Sequence, residues 1–152
     1  MVELRYVIGD ATDPRAEGPK IIAHVCNDIG AWGKGIVVAI SRRWPAPERA
    51  FRGAGLALGE TQLVPVEADL WVANMVGQHG IHRRAAGPPI RYQALATCLA
   101  TVAGHARRLG ASVHMPRIGA GLAGGDWSRI EPMIVASLCA QDVDTTVYDL
   151  AG

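Results

Sequence analysis

One phenylalanine, three cysteines and two lysines mark what is scarce in this 152-residue chain. The cysteines, Cys26, Cys98 and Cys139, are odd in number and far apart. That excludes a disulfide framework and reads as reduced core thiols in a cytoplasmic protein. Neither sign of charge dominates: 15 basic and 14 acidic residues leave a formal net charge of +1. This excludes a nucleic-acid binder working through a broad basic face, and an electrostatic membrane anchor. No apolar run approaches the ~20 residues needed to cross a bilayer, and Met1-Val2-Glu3-Leu4-Arg5 does not read as a signal peptide. With Lys20 and Lys34 the only lysines, amine chemistry has at most two candidates.

What is abundant is apolar residues, at 49%, and glycine, at 18 residues. The first predicts a folded core in one domain spanning residues 1–152. The second predicts tight turns, or backbone brought close to a ligand. Leu4-Arg5-Tyr6-Val7-Ile8 alternates as a strand and stops at Gly9-Asp10. Ile21 to Cys26 is an almost continuous apolar run, which predicts a strand buried on both faces. A glycine-spaced loop from Asn27 to Gly35 then opens into a helix carrying Ile36, Ile40 and Trp44 at steps of four, ended by Pro45 and Pro47. Gln62–Val66 and Leu70–Val76 read as paired strands, and Gly77 to Pro89 as a loop.

A long helix follows through Leu95, Leu99, Val102, Ala106 and Leu109, closed by Gly110. Val113-His114-Met115 reads as a strand and Pro116 to Gly125 as a second glycine loop. Ser128-x-x-Glu131 has the form of a capping box, predicting a helix to about Ala140. Thr145–Tyr148 is a closing strand. Strands alternating with helices predict an α/β layered domain. The first strand and the paired strands are expected to make its sheet mixed. Both glycine loops join a buried strand to a helix, the position from which bare backbone N–H groups can hold a phosphate.

Several familiar patterns fail on inspection. Gly119-Ala120-Gly121-Leu122-Ala123-Gly124 fits G-x-G-x-x-G but lies too near the C-terminus to open a dinucleotide-binding fold. Gly33-Lys34-Gly35 has no following Ser or Thr, so it is not a Walker loop. The histidines and Cys26 lack metal-ligand spacing, and no metal or cofactor is called for. His24 reads as a buried, hydrogen-bonded histidine.

Taken in order, Tyr6-Val7-Ile8-Gly9-Asp10, Ile22-Ala23-His24 through Gly33-Lys34-Gly35-Ile36, Met115-Pro116-Arg117-Ile118-Gly119-Ala120-Gly121-Leu122 and Thr146-Val147-Tyr148-Asp149-Leu150 resemble the macrodomain family. Within it, the chain looks like the branch of the terminal ADP-ribose protein glycohydrolase and of the antitoxin macrodomain that reverses DNA ADP-ribosylation. The resemblance implies a three-layer α/β/α sandwich around a mixed, mostly parallel sheet, with ADP-ribose in its crest crevice. It implies that Asp10 accepts the adenine amine beside the backbone of Gly9 and Ala11, with Tyr148 and Leu150 bordering the base. Trp32, Gly33, Lys34, Gly35 and Ile36 would line the distal ribose and one side of the diphosphate. Ile118, Gly119, Ala120, Gly121, Leu122 and Ala123 would offer N–H groups from the other.

The chain departs from those relatives where a lysine attacks the distal ribose C1″ and an aspartate assists. Gln78 and Ala123 stand at the matching positions, and an amide and a methyl can do neither job. The implied function is hydrolysis of mono-ADP-ribose from acidic side chains by water attack at C1″. Asp126 is the candidate to orient that water, with His79 and His82 behind it; Lys34 as a relocated nucleophile is a further route. A non-catalytic ADP-ribose reader, and an enzyme acting on a small ADP-ribose derivative or on ADP-ribosylated DNA, are the alternatives. The implied partners are ADP-ribose and ADP-ribosylated proteins, or nucleic-acid ends, met by a monomer with no membrane.

Overall fold

The computed structural model describes residues 1–85 and 87–151. Its strands are β1 (Arg5–Ile8), β2 (Lys20–Asn27), β3 (Thr61–Glu67), β4 (Leu70–Gln78), β5 (Ser112–Met115) and β6 (Thr145–Asp149). Its helices are α1 (Ile36–Arg43), α2 (Ala46–Ala54), α3 (Tyr92–Leu109) and α4 (Trp127–Ser137), the last followed by a 3-10 turn at Cys139–Gln141. The six strands form one sheet in the order β1-β6-β5-β2-β4-β3. Every neighbouring pair is parallel except β3 and β4, which run antiparallel. The mixed character therefore comes from β3 alone; the expectation that the first strand would contribute to it is corrected, since β1 joins β6 in parallel.

The three layers follow from alternation along buried strands. In β2, Ile21 and Ala23 face a core shared with Leu95, Leu99 and Val102 of α3 and Ile130 and Ile134 of α4. Ile22 and Cys26 face the other way, into a core with Val37 and Ile40 of α1, Trp44 at its C-cap and Phe51 of α2. All three cysteines are buried free thiols. The edge strand β1 is exposed along its whole length, with Ile8 77% accessible.

Two helix readings change. Pro45 and Pro47 do end α1, but they also open α2, which the sequence reading missed. Pro47 sits in its first turn, where a missing N–H costs nothing, and Glu48 pairs with Arg52 one turn on at 2.9 Å. The capping box at Ser128 does not form. The N-cap of α4 is Asp126, whose Oδ1 accepts from both the Ser128 N–H at 2.9 Å and its hydroxyl at 2.7 Å. Glu131 instead accepts the Tyr6 hydroxyl from β1, and α4 ends at Ser137 rather than near Ala140.

Candidate functional site

The carboxyl ends of β2, β4 and β5 open onto a cavity of about 670 Å³, where ligands sit in open parallel sheets. A one-residue register shift at Cys26/Asn27 pairs Asn27 with Gln78, and both residues line the cavity. Asn27 locks the turn beyond β2: its Oδ1 accepts from Ile29 and Ala31, and its Nδ2 donates to the Ala31 carbonyl at 2.8 Å. Gln78 Nε2 donates to the Gly80 carbonyl at 3.0 Å.

The two glycine loops face each other across this cavity. A Cβ on Gly35 would lie 3.8 Å from Leu122 Cδ1. Among the described residues, the N–H groups of Gly33, Lys34, Gly35, Ile36 and Val37 make no internal hydrogen bond, nor do those of Ile118, Gly119, Gly121 and Leu122. The first set lies at the N-terminus of α1, where the peptide dipoles add positive potential. The second loop is shaped by close backbone contact. The Gly125 N–H donates to the Gly119 carbonyl at 2.7 Å, and a Cβ on Gly125 would meet that oxygen at 2.5 Å. Gly119 has φ +72°, and a Cβ there would press on Ile90 at 2.8 Å.

Trp32 is the prop beneath the first loop. Its ring packs edge-on to His24 at 5.3 Å and against Phe51 at 5.6 Å, and its Nε1 donates to Ser41 at 2.8 Å. Arg52 of α2 ties the same loop from outside, donating to the Gly30 carbonyl at 3.1 Å. His24 is fully buried, and its Nε2 lies 2.6 Å from Asn74 Oδ1, which fixes that nitrogen as the donor. Burial lowers its pKa to about 4, against the hydrogen bond to Asn74, so the ring is neutral at neutral pH.

Of the sequence-predicted residues, Trp32, Gly33, Lys34, Gly35 and Ile36 line the cavity together with Ile118, Gly119, Gly121, Leu122 and Ala123. Gly9, Asp10, Ala11, Ala120, Tyr148 and Leu150 stand outside its lining. All of those but Ala120 lie at or just past the carboxyl ends of β1 and β6, a ledge on which Leu150 is exposed and Ala11 is buried. Asp10 Oδ1 there accepts from Thr12 N–H at 2.8 Å and from its hydroxyl at 2.7 Å, while Arg43 lies 3.5 Å from Oδ2. Partial burial works to raise the Asp10 pKa, but the Thr12 bonds and Arg43 together bring it below the ordinary carboxylate value. Tyr148 packs under Gly9, 3.5 Å from where a Cβ would be, with its hydroxyl 2.7 Å from His114 Nδ1.

Asp126 is not brought to the cavity either. Its carboxylate caps α4, and Ser128 holds it below its usual pKa. Among the described residues, the cavity-lining cations are Lys34, Arg52 and Arg117, and no Asp or Glu is in the lining. Arg117 is braced by two bonds to Asp149, at 2.7 and 3.0 Å, and lies over the rings of Tyr6 and Trp127. Sequence reasoning missed Arg52 and Arg117 as cavity residues. No local signal marks Arg52, which arrives on α2 through tertiary packing; Arg117 was within reach, since it stands inside the second glycine loop. Asn27 was findable: an Asn directly after a buried strand and ahead of Gly30 is an Asx-turn signal.

Fold and site together define an α/β sandwich with a crest crevice between two bare-backbone loops. A macrodomain protein from Streptomyces coelicolor is 52% identical and superposes with a TM-score of 0.88, over 99% of this chain and 100% of that one. The chain belongs to the macrodomain family. No protein-family model matches it. The zebrafish and mouse chromodomain-helicase-DNA-binding protein 1-like are 32% and 33% identical across 95% of this chain, which spans 15% and 17% of their lengths. An ADP-ribose 1″-phosphate phosphatase from Meyerozyma guilliermondii is 30% identical over 77 residues, 45% of this chain and 43% of its own. The fold also matches Thermosipho africanus DarTG in complex with ADP-ribose, at 18% identity and TM-score 0.70, over 88% of this chain and 38% of that one.

Proposed function

We propose that this macrodomain binds ADP-ribose in its crest crevice and hydrolyses mono-ADP-ribose from the carboxylate esters of acidic side chains. The observation that carries the reading is the pair of facing loops whose unclaimed N–H groups surround a cavity with cations and no carboxylate in its lining. A diphosphate satisfies those donors and meets no like charge there. The ledge offers what a base needs: apolar Ile8 and Leu150, 77% and 82% exposed, and Asp10 with Oδ2 turned from its Thr12 bonds. DarTG, which shares the fold, was seen with ADP-ribose bound.

The lining also bears on the chemistry. Gln78 stands where the family's lysine would attack, no carboxylate is among the described lining residues, and the one lysine present, Lys34, is on the opposite loop. A carboxylate leaving group, with reference pKa ~4, departs with little acid help; a serine alkoxide does not. The protein then has mainly to position the ribose and a water at C1″. Gln78 suits the second task. With Nε2 engaged by Gly80, its Oε1 is the acceptor left to orient a water, as an amide can do without acting as a base.

The test is release of free ADP-ribose from glutamate-linked and serine-linked mono-ADP-ribosylated proteins. Release from the glutamate ester alone is the expected result. Tight binding with no release from either would convert the protein into a reader, the reading that the carboxylate-free lining favours next. The match to the Meyerozyma phosphatase makes ADP-ribose 1″-phosphate the small-molecule control in the same assay.

A further inference from the structure

Beyond β4 the chain is tied back to the end of β2 by one carboxylate. Asp28 Oδ2 lies 2.6 Å from His79 Nδ1, and Oδ1 accepts the Gly80 N–H at 2.8 Å. The Asp28 N–H donates to the Gln78 carbonyl at 3.2 Å, so three consecutive residues, 78 to 80, all meet Asp28; the His79 N–H is held separately by the Pro89 carbonyl at 2.8 Å. Gly80, at φ +64°, then turns the chain, and the next two residues, Ile81 and His82, line the cavity. Neither Asp28 nor His79 is itself in the lining. Partial burial works to raise the Asp28 pKa, but the Gly80 and His79 bonds outweigh it and hold the carboxyl below its ordinary range. The grip is therefore that of an ionised acceptor, the stronger kind of hydrogen bond.

The place of this clamp decides what it can act on. The residues suited to the base lie on the ledge past β1 and β6, outside the cavity. The wall made by Gln78, Ile81 and His82 belongs to the β4 side of the cavity, across β2 and β5 from that ledge. A ligand laid from ledge to cavity presents its far end to this wall. We propose that Asp28 and His79 are positioning residues that hold Ile81 and His82 against the distal ribose, so that the protein selects ADP-ribose over a nucleoside diphosphate ending at its second phosphate. This rests on the ADP-ribose reading above.

ADP is ADP-ribose without the distal ribose, and so isolates the clamp. Calorimetric titration of both ligands into the wild type, Asp28→Ala, His79→Ala and His79→Gln provides the comparison. Asp28→Ala is expected to weaken ADP-ribose about tenfold, the scale of a lost charge-assisted bond, while ADP stays within about twofold. His79→Gln, which keeps an N–H donor toward Asp28, is expected to recover most of what His79→Ala loses. Equal losses for the two ligands, or none for ADP-ribose, overturn the clamp while leaving the ADP-ribose reading intact. A wild type that binds neither ligand overturns both. Should Asp28→Ala fail to fold, Asp28→Asn carries the same test, because its amide oxygen still accepts from Gly80 while the charge facing His79 is gone.

Discussion

Gln78 and Asp126 separate two things a side chain near a glycosidic bond can do: hold a water, or take its proton. Gln78 lines the cavity with Oε1 uncommitted; Asp126 stands outside it as a helix cap. Gln78→Ala is expected to lower the rate of ester hydrolysis ~10- to 100-fold with little change in ADP-ribose affinity, because a misplaced water affects the chemical step and not binding. Asp126→Asn keeps a good N-cap and is expected to hydrolyse at the wild-type rate, whereas Asp126→Ala should lose about 1 kcal/mol of stability. A tenfold slower Asp126→Asn enzyme, with its thermal midpoint unchanged, would return the aspartate to the chemistry. Lys34 is exposed on the cavity rim. Borohydride quenching during turnover should leave no protein-bound sugar, and an adduct on Lys34 would replace the water route with a covalent one.

At the scale of elements, the second glycine loop is the least tolerant part of the site. A Cβ on Gly125 would meet a backbone oxygen rather than the movable end of a side chain, so the Gly119–Gly125 turn must open to admit it. Gly125→Ala is expected to weaken ADP-ribose more than tenfold while the far-ultraviolet dichroism stays that of the wild type. Affinity within twofold would show that the loop's N–H groups do not carry the diphosphate. On the other side, α2 supports the first loop through Phe51, 2% exposed, under Trp32 and through Arg52 on the Gly30 carbonyl. The removal of Phe51 leaves a core cavity: Phe51→Ala should cost ~3–5 kcal/mol, read from the urea midpoint.

For the molecule as a whole, two buried histidines link folding to pH. His24 and His114 both have pKa lowered to about 4, His24 by burial and His114 by burial and then the charge of Lys20. The ordinary histidine value is ~6.5, so as pH falls the unfolded chain takes up protons before the folded one. Stability is thus complete above pH ~6.5, falls between there and pH 4, and loses nothing further to these groups below that. At pH 5 the loss should be about 2 kcal/mol per histidine. Urea unfolding at pH 7 and pH 5 measures it as a lower midpoint with an unchanged m-value; an identical midpoint would mean that the rings are protonated in the fold. Among the described residues no helix is long and apolar enough to cross a membrane.

The sequence by itself determined the layered α/β architecture, the two glycine loops and the doubly buried β2, because alternation and glycine spacing are local and recur at fixed periods. It did not determine α2, since Pro45 and Pro47 read equally as a stop and as a start until Phe51 has a core to enter. Nor did it determine the cap of α4: Ser128 and Asp126 compete for one role, and in the fold Asp126 takes it while Glu131 accepts from Tyr6 of a distant strand. The tertiary structure alone decided which charges reach the cavity. Arg52 and Arg117 enter it, Asp126 stays out, and Asp28 acts on it from behind. Those positions depend on how separate elements pack, which no periodicity within one element records.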